Sequence, residues 1–221
     1  MTSTGTIPRM DLPTRPRLRG LFHQYAVFAA LAAGVMLVAL AEGARARFAV
    51  SVYAAALAAM FGSSALYHRA PWRSARARAW ARRVDHSMIF IFIAGTYTPF
   101  ALLAFTGVLP AVVLACVWGG AALGVVLNVS WIDAPKWVTA PVYLLVGWVG
   151  VVAAPQLFTE VNIASAVLVV VGGALYTLGA LTYATHWPDP FPATFGFHEV
   201  FHVLVIAAAV TQFVAVSLVA L

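Results

Sequence analysis

Seven apolar runs, each of about 20 residues, dominate the sequence. Their approximate limits are 21–41, 47–68, 86–105, 109–128, 137–154, 162–183 and 197–220. A helix that crosses the hydrocarbon core of a bilayer needs about 20 mainly apolar residues, so each run is long enough to span. Among the 221 residues 63% are hydrophobic and only 9% are charged, a composition that a water-soluble fold does not have. The runs therefore predict an all-α membrane protein, a bundle of seven transmembrane helices.

The positions of Arg and Lys predict which way this bundle faces. Four arginines lie within residues 1–20. Six more separate the second run from the third, namely Arg69, Arg73, Arg76, Arg78, Arg82 and Arg83. These residues and Lys136 would share one side of the membrane, against Arg45 and Arg47 on the other. Because cytoplasmic segments hold the excess of basic residues, we predict a cytoplasmic N-terminus and a C-terminus outside.

The first 20 residues are polar, basic and interrupted by prolines, which predicts a disordered cytoplasmic tail before one transmembrane domain at 21–221. The run at 21–41 is longer than a usual signal-peptide core, so we predict a retained first span. The net charge of +6 comes largely from arginines beside apolar runs and indicates membrane orientation, not binding of nucleic acid. The arginine-rich segment is expected to contact anionic headgroups, with recruitment of a lipid substrate or a protein partner as the alternative.

Histidines near the cytoplasmic ends of the runs predict a metal site. The last run opens with His198-Glu199-Val200-Phe201-His202. Residues four apart share one face of a helix, and two imidazoles at this spacing can bind one zinc ion. His68 ends the second run at the same predicted depth, and three histidine ligands leave a fourth position open for water, as in catalytic zinc sites. Since ionisable residues in a span are costly, we assign these a function.

Three further residues are candidates for the chemistry at this site. Asp85 precedes the third run and Glu199 adjoins the first of the paired histidines, so either carboxylate could accept a proton from zinc-bound water. Ser64 lies one turn before His68 on the same face of its helix. Its hydroxyl could hydrogen-bond a ligand, the water or a substrate carbonyl.

Simpler interpretations of several residues remain open at this point. Asp85 could form only a salt bridge to a neighbouring arginine, and Glu199 could face only the membrane interface. His23 falls at the start of a span and His186 in a loop, and neither is assigned a role. His86 is expected beside the site or at the interface. The His-Glu-x-x-His pattern also occurs in metalloproteases, but no carboxylate or histidine follows it in this sequence, which disfavours an intramembrane protease.

Three ordered motifs resemble the hemolysin III family. They read SALYH at 64–68, DHS at 85–87 leading to GTYTPF at 95–100, and FGFHEVFH at 195–202. That family is the bacterial branch of the progestin and adipoQ receptor (PAQR) family, which includes the adiponectin receptors. It also belongs to a wider superfamily of membrane hydrolases with the alkaline ceramidases. The resemblance covers all seven runs.

The resemblance implies a seven-helix membrane protein with a zinc site near the cytoplasmic face. By motif, the zinc ligands carry over to His68, His198 and His202. The aspartate near the zinc-bound water carries over to Asp85, and the serine one turn before the first histidine is Ser64. Glu199 departs from the receptor branch, which looks to have glutamine there, although the bacterial pattern carries glutamate.

The resemblance also implies lipid chemistry in the inner membrane of a bacterium, either hydrolysis of a lipid amide such as ceramide or a part in membrane-lipid homeostasis. The leading hypothesis is therefore a zinc-dependent, hydrolase-like membrane protein that acts on or senses membrane lipids. A second hypothesis is a non-enzymatic sensor or scaffold in which zinc is structural. A third is a pore-forming haemolysin, which is disfavoured because the polar residues that interrupt the runs cluster towards one end.

Overall fold

The structure, a computed structural model, describes residues 16–221. The helices in this range are α1 (Leu21–Leu40), α2 (Gly43–Arg69), α3 (Ala75–Leu103), α4 (Leu109–Ser130), α5 (Lys136–Gly147), α6 (Ala154–Thr159), α7 (Ile163–Thr185) and α8 (Phe197–Ala220). Among the described residues, α1 to α4, α7 and α8 are each long and apolar enough to cross a membrane. The chain is thus a multi-pass, all-helical membrane protein, and the predicted fold class is confirmed.

Helix α3 begins well before the apolar run that predicted it. It starts at Ala75, inside the arginine-rich segment, instead of near residue 86. The Ser74 hydroxyl caps it by accepting a hydrogen bond from the N–H of Ala77 at 3.3 Å. The alanines and arginines that follow are strong helix formers, so the helix extends beyond its apolar part. This extension makes Asp85 a residue of a continuous helix.

The predicted fifth span, 137–154, is interrupted. Helix α5 ends at Gly147, and a 3₁₀ turn at Trp148–Val151 follows before α6. The hydroxyl of Tyr97 on α3 donates a hydrogen bond to the carbonyl of Gly147 and accepts one from the N–H of Gly150 at 2.9 Å. A Cβ atom at Gly150 would lie 2.6 Å from the Tyr97 hydroxyl oxygen. The break is tolerated because a neighbouring helix forms hydrogen bonds with its backbone groups. Such a break cannot be predicted from the apolar character of the run.

Helix α8 closes the bundle around the end that carries the predicted site. Consecutive helices pack together in the pairs α1–α2, α2–α3, α3–α4 and α7–α8, and α8 also contacts α1, α2 and α3. Small residues let these helices approach closely, as a Cβ at Gly95 would lie 2.7 Å from the Cβ of Ala56. The start of α1, the end of α2 and the start of α8 consequently meet at one end of the bundle.

Residues 16–20, which the sequence assigned to a disordered tail, form a turn before α1. The N–H groups of Arg17 and Leu18 donate hydrogen bonds to two carbonyls of the α7–α8 connection, each at 3.2 Å. The remainder of the predicted tail, residues 1–15, lies outside the described range. The turn therefore ties the start of α1 to the segment that leads into α8.

Candidate metal centre

Three histidine side chains meet where α2 ends and α8 begins. His68 lies in the last turn of α2, and His198 and His202 lie on successive turns at the start of α8. One ring nitrogen from each lies within 4.8 Å of the other two, and the Nε2 atoms of His68 and His198 are 3.2 Å apart. Nitrogen ligands of one tetrahedral ion would lie roughly 3.3 Å apart, since each sits about 2.0–2.1 Å from the metal. The spacing therefore suits a shared metal ion.

The burial of His202 agrees with a metal-binding role. Its side chain is 2% exposed, and its Nδ1 atom is buried with no hydrogen-bond partner in the described part of the chain. Buried polar atoms are nearly always paired, so an unpartnered ring nitrogen beside two other histidines calls for a ligand. Imidazole nitrogens suit transition-metal ions. The cluster could thus hold a metal ion on the three histidines that the sequence predicted.

Asp85 faces this cluster from α3. Its Oδ2 atom lies 3.8 Å from Nε2 of His68 and 3.7 Å from Nδ1 of His86, and its side chain is 13% exposed. Ser64, which is 3% exposed, also interacts with the Asp85 carboxylate. The histidine ends of α2 and α8 therefore have one carboxylate and one hydroxyl within reach.

The arginines near Asp85 bind other groups. Arg82 pairs with Asp133 in the α4–α5 connection at 2.7 Å, and Arg83 donates to the carbonyl of Val129 at 3.0 Å. Among the described residues, neither arginine lies within ion-pair distance of Asp85. The carboxylate of Asp85 is thus oriented towards the histidines, and the simple salt-bridge interpretation does not describe it.

Glu199 differs from Asp85 in that both of its oxygens are engaged. Its Oε1 atom accepts a hydrogen bond from Nε of Arg19 at 2.5 Å, and its Oε2 atom accepts one from the N–H of Gly196 at 2.9 Å. The side chain is fully buried, so it does not face the membrane interface. This glutamate caps the first turn of α8 and joins it to the turn before α1.

His23 lies in the site although the sequence analysis assigned it no role. Its ring stacks on that of His202, with centroids 3.9 Å apart and planes 3° from parallel. Its Nδ1 atom is 2.8 Å from the Ser64 hydroxyl, and the side chain is 2% exposed. One signal could have found it, because His23 opens a span at the same membrane depth as the other histidines.

A cavity of about 330 Å³ runs from this cluster into the bundle. Its polar end is lined by His23, Ser64, Asp85, His86, His198 and His202. The remaining wall is mainly apolar and comes from α3, α5, the 3₁₀ turn, α6, α7 and α8. A largely apolar pocket with a few convergent polar groups is the usual form of a small-molecule site.

Comparison with known proteins agrees with the motifs. The model of the family described as haemolysin-III related matches residues 13–213. The chain belongs to this family. A hemolysin-3 homolog of Bacillus subtilis is 33% identical over 134 residues, 60% of each protein, and hemolysin-3 of Bacillus cereus is 31% identical over the same length, 60% of this chain and 58% of that one. The chain thus covers less than two thirds of either relative.

A more distant relative aligns over more of this haemolysin-III-related chain. The human monocyte to macrophage differentiation factor is 24% identical over 199 residues, which are 88% of this chain and 79% of that protein. Because the alignment covers 88% of this chain, it must include α2, α3 and most of the bundle. The predicted relationship to hemolysin III and the PAQR family is therefore confirmed.

Gly20 brings the start of α1 against His68 in this haemolysin-III-related protein. Its φ is +75°, and a Cβ atom there would lie 2.4 Å from the Cβ of His68. We expect Gly20→Ala to strain the turn and displace His68, lowering both the stability of the protein and its affinity for metal. The left-handed conformation alone would cost about 1–2 kcal/mol. Thermal unfolding and metal titration of the purified variant measure the two effects.

Gly43 offers a matched control for this substitution. Its φ is +77°, but no atom lies within 4 Å of the position that its Cβ would occupy. Gly43→Ala should therefore show the conformational strain without any loss of metal affinity. Equal metal affinity in the two variants would contradict the importance of the contact between Gly20 and His68.

Proposed function

We propose that this protein is a zinc-dependent membrane hydrolase that cleaves an amide or ester bond of a lipid. The observation that carries the proposal is the convergence of His68, His198 and His202 beside Asp85, at the polar end of an apolar cavity. Structural zinc sites are usually closed by four protein ligands, whereas catalytic sites have three and keep one position open. A zinc ion in this site would activate water for attack and polarise the carbonyl of the scissile bond.

Asp85 is the proposed general base. Its carboxylate lies 3.8 Å from a ring nitrogen of His68, so it can take up a proton released beside the histidines and return it to the leaving group. The Ser64 hydroxyl interacts with both His23 and Asp85. We propose that its hydrogen bonds orient the reacting groups. We propose a structural role for Glu199, because its two oxygens accept hydrogen bonds from Arg19 and Gly196.

The shape of the cavity supports a lipid as substrate. The histidines and Asp85 lie at one end, and the long wall beyond them is lined mainly by apolar side chains. An acyl chain could lie along this wall while its carbonyl group reaches the histidines. The apolar lining would keep water away from the chain. We further propose that the protein lies in the inner membrane of a bacterium with its histidine end towards the cytoplasm. The arginines between Arg69 and Arg83, from the end of α2 to the first turns of α3, lie at that end.

A second candidate function is lipid sensing without turnover. It is favoured by the way the cluster connects the end of α2 to the start of α8, through the 3.2 Å contact between His68 and His198. A metal held there would fasten two helices that are distant in sequence. A sensor needs the three histidines but has no need of Asp85, and this difference separates the two candidates.

Replacement of Asp85 by asparagine should abolish turnover while zinc remains bound. A general base contributes about 10²–10⁴-fold to a rate, so a loss of that size is expected. The measurement is release of free fatty acid from ceramide and phospholipid in proteoliposomes of the purified protein, followed by mass spectrometry, with zinc content measured on the same samples. Lipid profiles of cells that express wild type, the variant or neither protein identify the natural substrate.

Asp133→Asn is the matched control for this experiment. Asp133 is exposed and pairs with Arg82 outside the cavity, so its substitution should leave turnover unchanged. If the wild-type protein releases no product from any lipid, or if Asp85→Asn turns over lipid at the wild-type rate, the hydrolase proposal fails. Retained cellular function in Asp85→Asn, together with its loss in a histidine variant, would instead support the sensor.

A further inference from the structure

A groove of about 180 Å³ lies between the last turns of α2 and the first turns of α3. Its lining includes Ser63 and Leu66 of α2, Trp72 of the connection, and Ala77, Trp80 and Val84 of α3. We call it the α2–α3 groove. It shares no lining residue with the cavity that begins at the histidines, so it is separate from the proposed catalytic site.

The wall of the α2–α3 groove is apolar and accessible from outside the bundle. Leu66 is 56% exposed, Trp80 is 49% exposed and Val84 is 45% exposed. Both helices are long and apolar enough to cross a membrane, and tryptophans at the ends of such helices are typical of the membrane interface. From Ala77 to Val84 the helix rises about 10 Å, which gives the length of the groove along α3. This wall can therefore hold the first part of an acyl chain.

Two arginines stand at the end of the groove where α2 ends and α3 begins. Arg73 and Arg76 are exposed and adjoin the lining residues Trp72 and Ala77 in sequence. Arg76 also precedes Trp80 by four residues, on the same face of α3. No carboxylate in residues 16–221 lies within ion-pair distance of either arginine. The apolar groove thus ends at two guanidinium groups whose charge the described chain does not balance.

The two indole rings of the groove are held by the protein itself. The Trp72 indole N–H donates a hydrogen bond to the carbonyl of Tyr67 at 3.0 Å. The guanidinium carbon of Arg83 lies 5.4 Å from the ring centroid of Trp80, and its Nε atom donates to the carbonyl of Val129 at 3.0 Å. Because both rings are fixed before anything binds, an occupant would order few side chains on entering.

We infer that the α2–α3 groove binds one phospholipid with an anionic headgroup. The guanidinium groups of Arg73 and Arg76 would bind the phosphate, for which arginine has matching donor geometry. An acyl chain would lie along Leu66, Trp80 and Val84. A free phosphate would leave this apolar wall uncovered, and a zwitterionic headgroup would bring a further cation towards the arginines. The inference does not depend on the proposed function, because the groove and the catalytic cavity are separate.

Phosphatidylglycerol and phosphatidylcholine with identical acyl chains test the inference, since they differ only in the headgroup. The two lipids compete at equal concentration for the purified full-length protein in detergent micelles, and native mass spectrometry measures how much of each is bound. We expect the wild type to prefer phosphatidylglycerol on the order of tenfold, because each basic residue at a membrane surface attracts an anionic lipid. Arg73→Gln/Arg76→Gln should reduce this preference to near unity, and Trp80→Ala should weaken the binding of both lipids.

Arg45→Gln/Arg78→Gln is the matched control, because it removes the same net charge. Arg45 is exposed near the start of α2, at the opposite end of that helix from the groove. Arg78 is exposed on α3 one turn before Arg82, which pairs with Asp133 and does not line the groove. This variant should keep the wild-type preference. Circular dichroism of every variant checks that the helices persist.

Equal binding of the two lipids by the wild type would overturn the inference. An equal loss of preference in the two double variants would overturn it too, because the effect would then come from net charge alone. Glycerol 3-phosphate that bound as tightly as phosphatidylglycerol would show that the apolar wall contributes nothing, and the site would be one for a soluble anion. The assay involves no turnover, so a protein that hydrolyses no lipid but keeps the preference would refute the proposed function and support this site.

Discussion

Alanine in place of His202 should remove the bound metal from this haemolysin-III-related protein. His202 supplies one of the three ring nitrogens that converge in the described part of the chain, so its loss leaves two ligands. Loss of a group that merely supports a metal ligand costs about 10–100-fold in affinity, and loss of a ligand itself should exceed on the order of 100-fold. The metal content of purified protein by mass spectrometry, and competition titration with a chelating dye, measure the effect. His68→Ala and His198→Ala should behave alike.

His186→Asn is the control for these variants. His186 lies at the same end of the bundle but outside the cluster, in the turn after α7. Its φ is 58°, in the left-handed region that asparagine tolerates, and its ring contacts Phe197 with centroids 4.5 Å apart, so the substitution should leave the metal ligands in place. Circular dichroism of each variant checks that the helices persist. A wild-type metal content in folded His202→Ala would refute the metal centre.

The histidine cluster could be predicted because the ends of the apolar runs indicate depth in the membrane. Each run marks where a chain enters and leaves the membrane, so residues at the ends of different runs can be compared at one level. His68 and the pair on α8 were brought together by that comparison and by the helical repeat. The structure places the three where this reasoning expected them, although 130 residues separate His68 from His198.

Rotation about the helix axis could not be predicted in the same way. His23 has the right depth, yet only the packing of α1 against α2 and α8 decides that its ring stacks on His202. Likewise, the two carboxylates near the histidines were equivalent by depth. Their difference depends on Arg19, whose side chain reaches α8 from the turn before α1.

The interrupted fifth span escaped prediction for a different reason. Hydropathy reports the transfer of side chains into lipid and is insensitive to a break whose backbone groups are satisfied inside the protein. The partner at this break is the hydroxyl of Tyr97, fifty residues before Gly147. The motif that contains Tyr97 was recognised by resemblance, but its contact with the break depends on how α3 packs against α5.

Replacement of Arg19 by methionine should destabilise the protein by about 3–5 kcal/mol, because it leaves a buried carboxylate without its cation. Glu199 is fully buried and the Arg19 side chain is 22% exposed, so solvent screens this pair only weakly. The remaining hydrogen bond, from the N–H of Gly196, cannot balance the full charge. Reversible unfolding of the purified protein in mixed micelles, measured by circular dichroism, gives the change in free energy.

Arg17→Met controls for the loss of an arginine from the same turn. Arg17 is exposed, and its described contact is a backbone hydrogen bond, so its substitution should change stability by no more than about 0.5 kcal/mol. Equal stability of Arg17→Met and Arg19→Met would contradict a structural role for the ion pair. The two variants differ only in which arginine is lost.

Restoring the balance of charge should restore most of the stability. In the double variant Arg19→Met/Glu199→Gln two neutral side chains replace the buried ion pair, and the glutamine oxygen can still accept from the N–H of Gly196 and cap α8. The proposed lipid turnover should also persist in this variant, since Asp85 and the three histidines are unchanged. If the double variant recovers stability but does not hydrolyse lipid, the general base is Glu199 and not Asp85. The loss of activity would then come from the loss of the Glu199 carboxylate.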